Sequence, residues 1–101
     1  MTDRRIEKLV GSELGGRILR ELVEDEGFEA PIVCACMAAN GHFFVLRWTV
    51  AKDFAGFDTE VLFDVGPPQS MRLPLTVTIA DSQGKGATFV LDLLGEKKWL
   101  H

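Results

Sequence analysis

No stretch of this 101-residue chain approaches the roughly 20 consecutive apolar residues that cross a bilayer, so a membrane is not expected as a partner. An excess of basic residues is missing too: 11 Lys and Arg stand against 15 Asp and Glu, for a formal net charge of −4. Phosphate binding needs a clustered positive surface, so nucleic acid is not expected as a partner either. Cysteine is scarce. Only Cys34 and Cys36 occur. Two apart in a strand, their side chains share a face about 7 Å apart, too far and too parallel for a bridge. They read as reduced, small apolar fillers. The opening MTDRRIEK is charged and lacks the apolar core of a secretory leader. With the reduced thiols, this gives a cytoplasmic expectation. Internal repeats, linkers and low-complexity segments are absent as well.

What is present is ordinary globular material, 47% hydrophobic and 26% charged. That length and composition fit one domain over 1–101 with a real core. Residues 3–25 have helical periodicity. Leu14, Ile18, Leu19, Leu22 and Val23 form one apolar arc, while Ile6, Leu9 and Val10 fall on nearly the opposite side. Either Gly11 divides two helices, or one helix buries its first turns elsewhere, such as against a second copy. Gly27 suits a left-handed helix end, with Phe28 folding back on Val23. The charges run against the helix dipole: Arg4, Arg5 and Lys8 lie at the positive end, and Glu21, Glu24, Asp25 and Glu26 at the negative end. Two such helices lying antiparallel would offset that mismatch, which supports a homodimer.

Pro31–Lys52 is two apolar runs joined by Asn40-Gly41, a strong hairpin signal. A two-residue turn sets Met37 opposite Phe44, Ala35 opposite Leu46 and Val33 opposite Trp48. One face then carries Val33, Ala35, Met37, Phe44, Leu46, Trp48 and Val50 beneath the helix. The other carries Cys34, Cys36, Phe43, Val45 and Arg47, and is too apolar for open water. Further strands are expected over Glu60–Val65, Met71–Ala80 and Ala87–Leu94. In these, Val61, Phe63 and Val65 share a side, Leu73, Leu75, Val77 and Ile79 point inward, and so do Phe89, Leu91 and Leu93. Pro74 belongs at an edge or a bulge. The tail EKKWLH is short, with Trp99-Leu100 folding back. The fold class is therefore α+β: an N-terminal helical segment on a curled antiparallel sheet of about five strands. The architecture is cystatin-like by analogy alone, which carries no function.

Motifs for chemistry are few. Cys34-x-Cys36 with His42 suggests zinc, but the hairpin register points His42 away from the cysteines, and four convergent ligands are needed. The same geometry opposes a Cys–His nucleophile. Gly84-Lys85-Gly86-Ala87-Thr88 lacks the spacing of a phosphate loop and precedes a strand. Asp58, Glu60 and Asp64 share parity and read as a solvated strand face. Arg47, mid-strand among apolar neighbours, needs a carboxylate partner, a subunit or an anionic ligand. No catalytic residue, metal site or cofactor is expected. The reading that follows is an interaction module, homodimeric through Ile6, Leu9, Val10, Cys34, Cys36, Phe43 and Val45, or bound to an unidentified protein. The alternative is a ligand-binding or enzymatic domain. Its pocket for a small apolar ligand would lie between helix and sheet, at Met37, Phe44, Arg47, Trp48 and Phe63.

Overall fold

The computed structural model describes residues 13–50, 57–66, 73–94 and 96–100. Helix α1 spans Glu13–Arg20 and runs on into one π-helical turn, Glu21–Asp25. Its apolar arc packs inward as the periodicity requires, with Ile18, Leu19 and Leu22 buried and Val23 half-buried. The side chain of Leu14 and all of Ile6, Leu9 and Val10 lie outside the described residues. The helix ends where Gly27 adopts φ +75°. The wide last turn changes which carbonyl the end satisfies: Glu26 N–H reaches Glu21 O (3.1 Å) and Phe28 N–H reaches Leu22 O (2.9 Å).

The sheet has six strands, not five. They are β1 (Ile32–Ala38), β2 (Phe43–Val50), β3 (Phe57–Val65), β4 (Leu75–Ala80), β5 (Gly86–Leu91) and β6 (Lys97–Leu100). All pairings are antiparallel, in the order β3-β2-β1-β4-β5-β6. A plain meander is thereby excluded, because β1 sits centrally and pairs with both β2 and β4. The sixth strand exists because Asp92 turns the chain. Its N–H bonds Glu96 O at 3.0 Å, and its Oδ1 accepts from Leu94 N–H and Glu96 N–H at 2.9 and 3.0 Å. That turn ends β5 at Leu91 and leaves Leu93, expected inward, 75% exposed. Pro74 precedes β4 rather than sitting in its ladder.

The β1–β2 hairpin differs by one residue from the two-residue register. Ala38 N–H bonds His42 O (2.8 Å), Gly41 N–H bonds Ala38 O (3.0 Å), and Gly41 takes φ +85°. The connection is Ala39-Asn40-Gly41, a turn closed by a left-handed glycine bulge. Cys36 therefore faces Phe44, and Cys34 faces Leu46. A slip of one residue moves a strand's whole side-chain set to the other face. Ile32, Cys34, Cys36 and Ala38 are buried under the helix with Phe44, Leu46 and Trp48, while Val33 and Met37 look outward. Of the expected inner face, Phe44, Leu46 and Trp48 are buried, whereas Val50 at the end of β2 is 40% exposed and Val33, Ala35 and Met37 of β1 lie on the other side. Deleting Ala39 would leave Ala38 opposite His42 across a two-residue Asn-Gly turn. We expect that variant to keep the ladder and to melt within about 1 kcal/mol of the parent, as thermal unfolding would show.

Strand β3 also departs from strict alternation. Val45 pairs Phe63 and Leu46 pairs Val61, so Leu62 is a bulge. Val61 faces the core, whereas Phe63 and Val65 lie on the outer face. The same bulge splits the acidic residues: Asp58 and Glu60 share the outer face with Arg47, and Asp64 turns toward the core side beside Phe44.

The acidic helix end is met within the chain. Lys97 Nζ pairs with Glu21 at 3.1 Å, and Lys85 Nζ donates to Glu26 O. Cations at a helix C-terminus are favourable. Lys97 of β6 and Lys85 of the β4–β5 turn thus offset the acidic end of the charge mismatch, whose basic end, Arg4, Arg5 and Lys8, lies outside the described residues.

Candidate functional site: the outer face of the sheet

Residues directly opposite in an antiparallel pair share a face, so the registers assign the outer surface row by row. One row is Met37, Phe43 and Val65; the next is Ala35, Val45 and Phe63. The third is Val33, Arg47 and Glu60, and beyond it Thr49 faces Asp58. On the β4 side, Thr76, Thr78 and Ala80 continue the three rows. No described helix lies over this face. Val33, Met37, Phe63 and Val65 are 37–55% exposed. Phe43 and Val45 are half-buried among them, the rings of Phe43 and Phe63 meeting edge to face at 5.9 Å. The exposed apolar surface of these rows is roughly 400 Å², within the range of the largest patch on a typical monomer, which is often functional. Arg47 closes the patch by pairing with Glu60 across the strands, both side chains open to solvent. An exposed pair of this kind contributes little to stability, about 0–1 kcal/mol.

The expected pocket residues do not converge. Phe44 and Trp48 are buried on the helix side, and Met37, Arg47 and Phe63 lie on the opposite face. Trp48 keeps its indole N–H without a hydrogen-bond partner, so it has been buried for its ring rather than its polar tip. A different recess, of about 320 Å³, opens between the helix end and the β5–β6 edge. Phe28 and Trp99 lie parallel there, 6.4 Å apart, with Lys85 over the first ring and Lys97 over the second. Both cation positions on these rings are thus held by lysines of the chain itself.

Cys34 and Cys36 belong to the core, not to an interface, and both are free thiols. Burial pushes the Cys36 thiol up to about 12 and raises that of Cys34 further, with Cys36 adding to the effect. Neither is a nucleophile at neutral pH. We expect no thiol labelling of the native protein, with reaction appearing only through unfolding. Prompt labelling under native conditions would place the cysteines on the outer face.

His42 shares the inner face with the cysteines, contrary to the two-residue register, but its ring is turned to β3. Its Nε2–H donates to Asp64 Oδ1, and the ring packs edge to face on Phe44. His42 is 2% exposed, so the pair pins the hairpin turn to the end of β3 in the interior. Sequence reasoning missed this pair because only the bulge brings Asp64 to that side. Among the described residues, no group of three or more His, Cys, Asp or Glu could hold a metal ion.

The loops carry two further carboxylates with defined work. Asp81 accepts from Glu29 N–H (2.9 Å), Lys85 N–H (2.8 Å) and Gln83 N–H (2.9 Å), tying the post-helix segment to the β4–β5 turn. These bonds, the one from Glu29 first, hold its carboxyl below the usual range, and those from Glu96 and Leu94 do the same for Asp92. Lowered folded values add stability that is complete above the unfolded value of about 3.9 and lost as pH falls through the folded one. Acid titration of stability should therefore be shallower below pH 4 in Asp81→Asn than in the parent.

Compared with protein-family models, with curated proteins and with solved structures, the chain matches none. No described helix is long and apolar enough to cross a membrane.

Proposed function

We propose that this protein is a small interaction module that pairs with a second copy of itself through the outer face of its sheet. The observation that carries this reading is the contiguous patch of Met37, Phe43, Val65, Val45 and Phe63 on the side away from the helix. A standard interface takes about 800 Å² from each partner, a little over half of it apolar. The patch supplies about that apolar half, and the bordering threonines with Arg47 and Glu60 supply a polar rim. Of the residues first expected at an interface, Phe43 and Val45 stay in this proposal, and Cys34 and Cys36 leave it. Two free buried thiols suit a reducing cytoplasm, where we place the protein. Sedimentation from low micromolar to near-millimolar concentration tests the reading. A concentration-dependent dimer that Phe63→Asp abolishes is expected, and a monomer throughout would refute it.

A second reading rests on the Phe28–Trp99 recess as a site for a small apolar ligand. In a Trp48→Phe background the emission reports Trp99 alone. A saturable change on titration with indole is the expected result, and none up to its solubility limit would discard the site.

A further inference from the structure

The outer face sets all three of its rows on their own kind in one orientation only, because its chemistry is arranged in rows across the strands. Two successive rows are apolar, Met37-Phe43-Val65 and Ala35-Val45-Phe63. The next row holds the opposite charges Arg47 and Glu60 on neighbouring strands. Two sheets stacked face to face can be related by a twofold axis in the plane between them. An axis lying across the strands reverses the order of the rows. Centred on the Ala35-Val45-Phe63 row, it sets Arg47 and Glu60 over Phe43 and Val65 of the other copy, leaving both charges against apolar groups; centred between the two apolar rows, it leaves the charges with no facing row. An axis lying along the strands, over β2 and β3, opposes those two strands alone, because β3 is the edge of the sheet, and sets the β2–β3 part of every row on its own kind. The apolar rows then meet apolar rows, and Arg47 of each copy comes beside Glu60 of the other. Both axes leave the strands of the two sheets near-aligned, as face-to-face packing of twisted sheets produces, so the order of the rows decides between them.

We infer that the dimer axis runs along the strands of β2 and β3, and that Arg47 and Glu60 from both copies form a four-charge ring that fixes this orientation. This inference rests on the self-association proposed above. Charges at an interface set register and exclude wrong partners more than they add affinity. The Arg47–Glu60 pair, nearly neutral for the stability of one copy, thereby becomes the element that selects how two copies meet.

Charge reversal tests it. Arg47→Glu alone gives a ring of four negative groups, and Glu60→Arg alone gives four positive groups. Each variant by itself is expected to dimerise at least about tenfold more weakly than the parent. An equimolar mixture of the two restores opposite charges around the ring and should form a heterodimer of near-parental affinity. The double variant Arg47→Glu/Glu60→Arg restores the ring within one sequence and should pair as the parent does. Thermal melts of each variant confirm that the fold is intact. If the parent dimerises but the single variants do so equally well, or their mixture gains nothing, the orientation is overturned while self-association stands. If the parent itself never dimerises, the underlying reading fails first.

Discussion

Replacing Phe44 by alanine is expected to lower stability by about 4 kcal/mol, the largest loss of any single truncation on β2. Phe44 is fully buried, lies between Cys36 and Asp64 across the sheet, and packs edge to face against His42. Its removal leaves a cavity at the junction of the helix, the central strands and the His42–Asp64 pair. A domain of this size holds roughly 5–15 kcal/mol in total. The loss corresponds to a fall in melting temperature of about 20 °C. Truncating Phe63 on the outer face should behave in the opposite way. Half exposed, it contributes about 1 kcal/mol or less to the fold, but it belongs to the proposed contact surface. Thermal melts and sedimentation of the two alanine variants should therefore separate folding from association. Equal melting temperatures for the two variants would overturn the assignment of sheet faces.

Two glycine-to-alanine changes are expected to move stability in opposite directions. At Gly66 an added methyl would lie 2.7 Å from Cγ and 2.8 Å from Cα of His42. The backbone there cannot step aside without pulling His42 from Asp64. Overpacking together with a broken interior pair should lower stability by about 3 kcal/mol. At Gly16, within α1, the methyl meets nothing within 4 Å outside the helix's own neighbouring backbone. Alanine there should stabilise the helix by about 1 kcal/mol. Chemical denaturation of the two variants checks both signs. A neutral Gly66→Ala would mean that the end of β3 is not held against the hairpin turn as described.

The helix was legible because its arc contrasts sharply: Ile18, Leu19 and Leu22 stand among Arg17, Arg20 and Glu21 at helical spacing. Strands β4 and β5 were legible through strict alternation at Leu75, Val77 and Ile79, and at Phe89 and Leu91. The hairpin was legible as a hairpin but not in register. Gly41 suits the left-handed position of either a two- or a three-residue connection, and β1 is apolar on both sides. Val, Ala and Met compete there with Ile and Cys, so the pattern had no polar face to exclude one choice. Strand β3 hid its bulge for a similar reason: Val61, Leu62 and Phe63 are all apolar, and only the pairing shows which is skipped. The pair of His42 and Asp64 follows from that bulge and was out of reach. Arg47 could be recognised as needing a partner, although sequence could not choose Glu60 as that partner. The last strand was too short for any periodic signal, and its Asp92 turn only becomes evident once Glu96 returns alongside.

The one-sided placement of α1 also limits how large an assembly can become. If two copies close their bare sheets on each other, α1 and the strand edges are what the described residues leave facing outward. The long edge at β3 is interrupted by the Leu62 irregularity and carries carboxylates, and the short edge at β6 carries Lys97 and Lys98. Such edges template further strands poorly. A pair closed by a twofold axis would therefore be self-limiting.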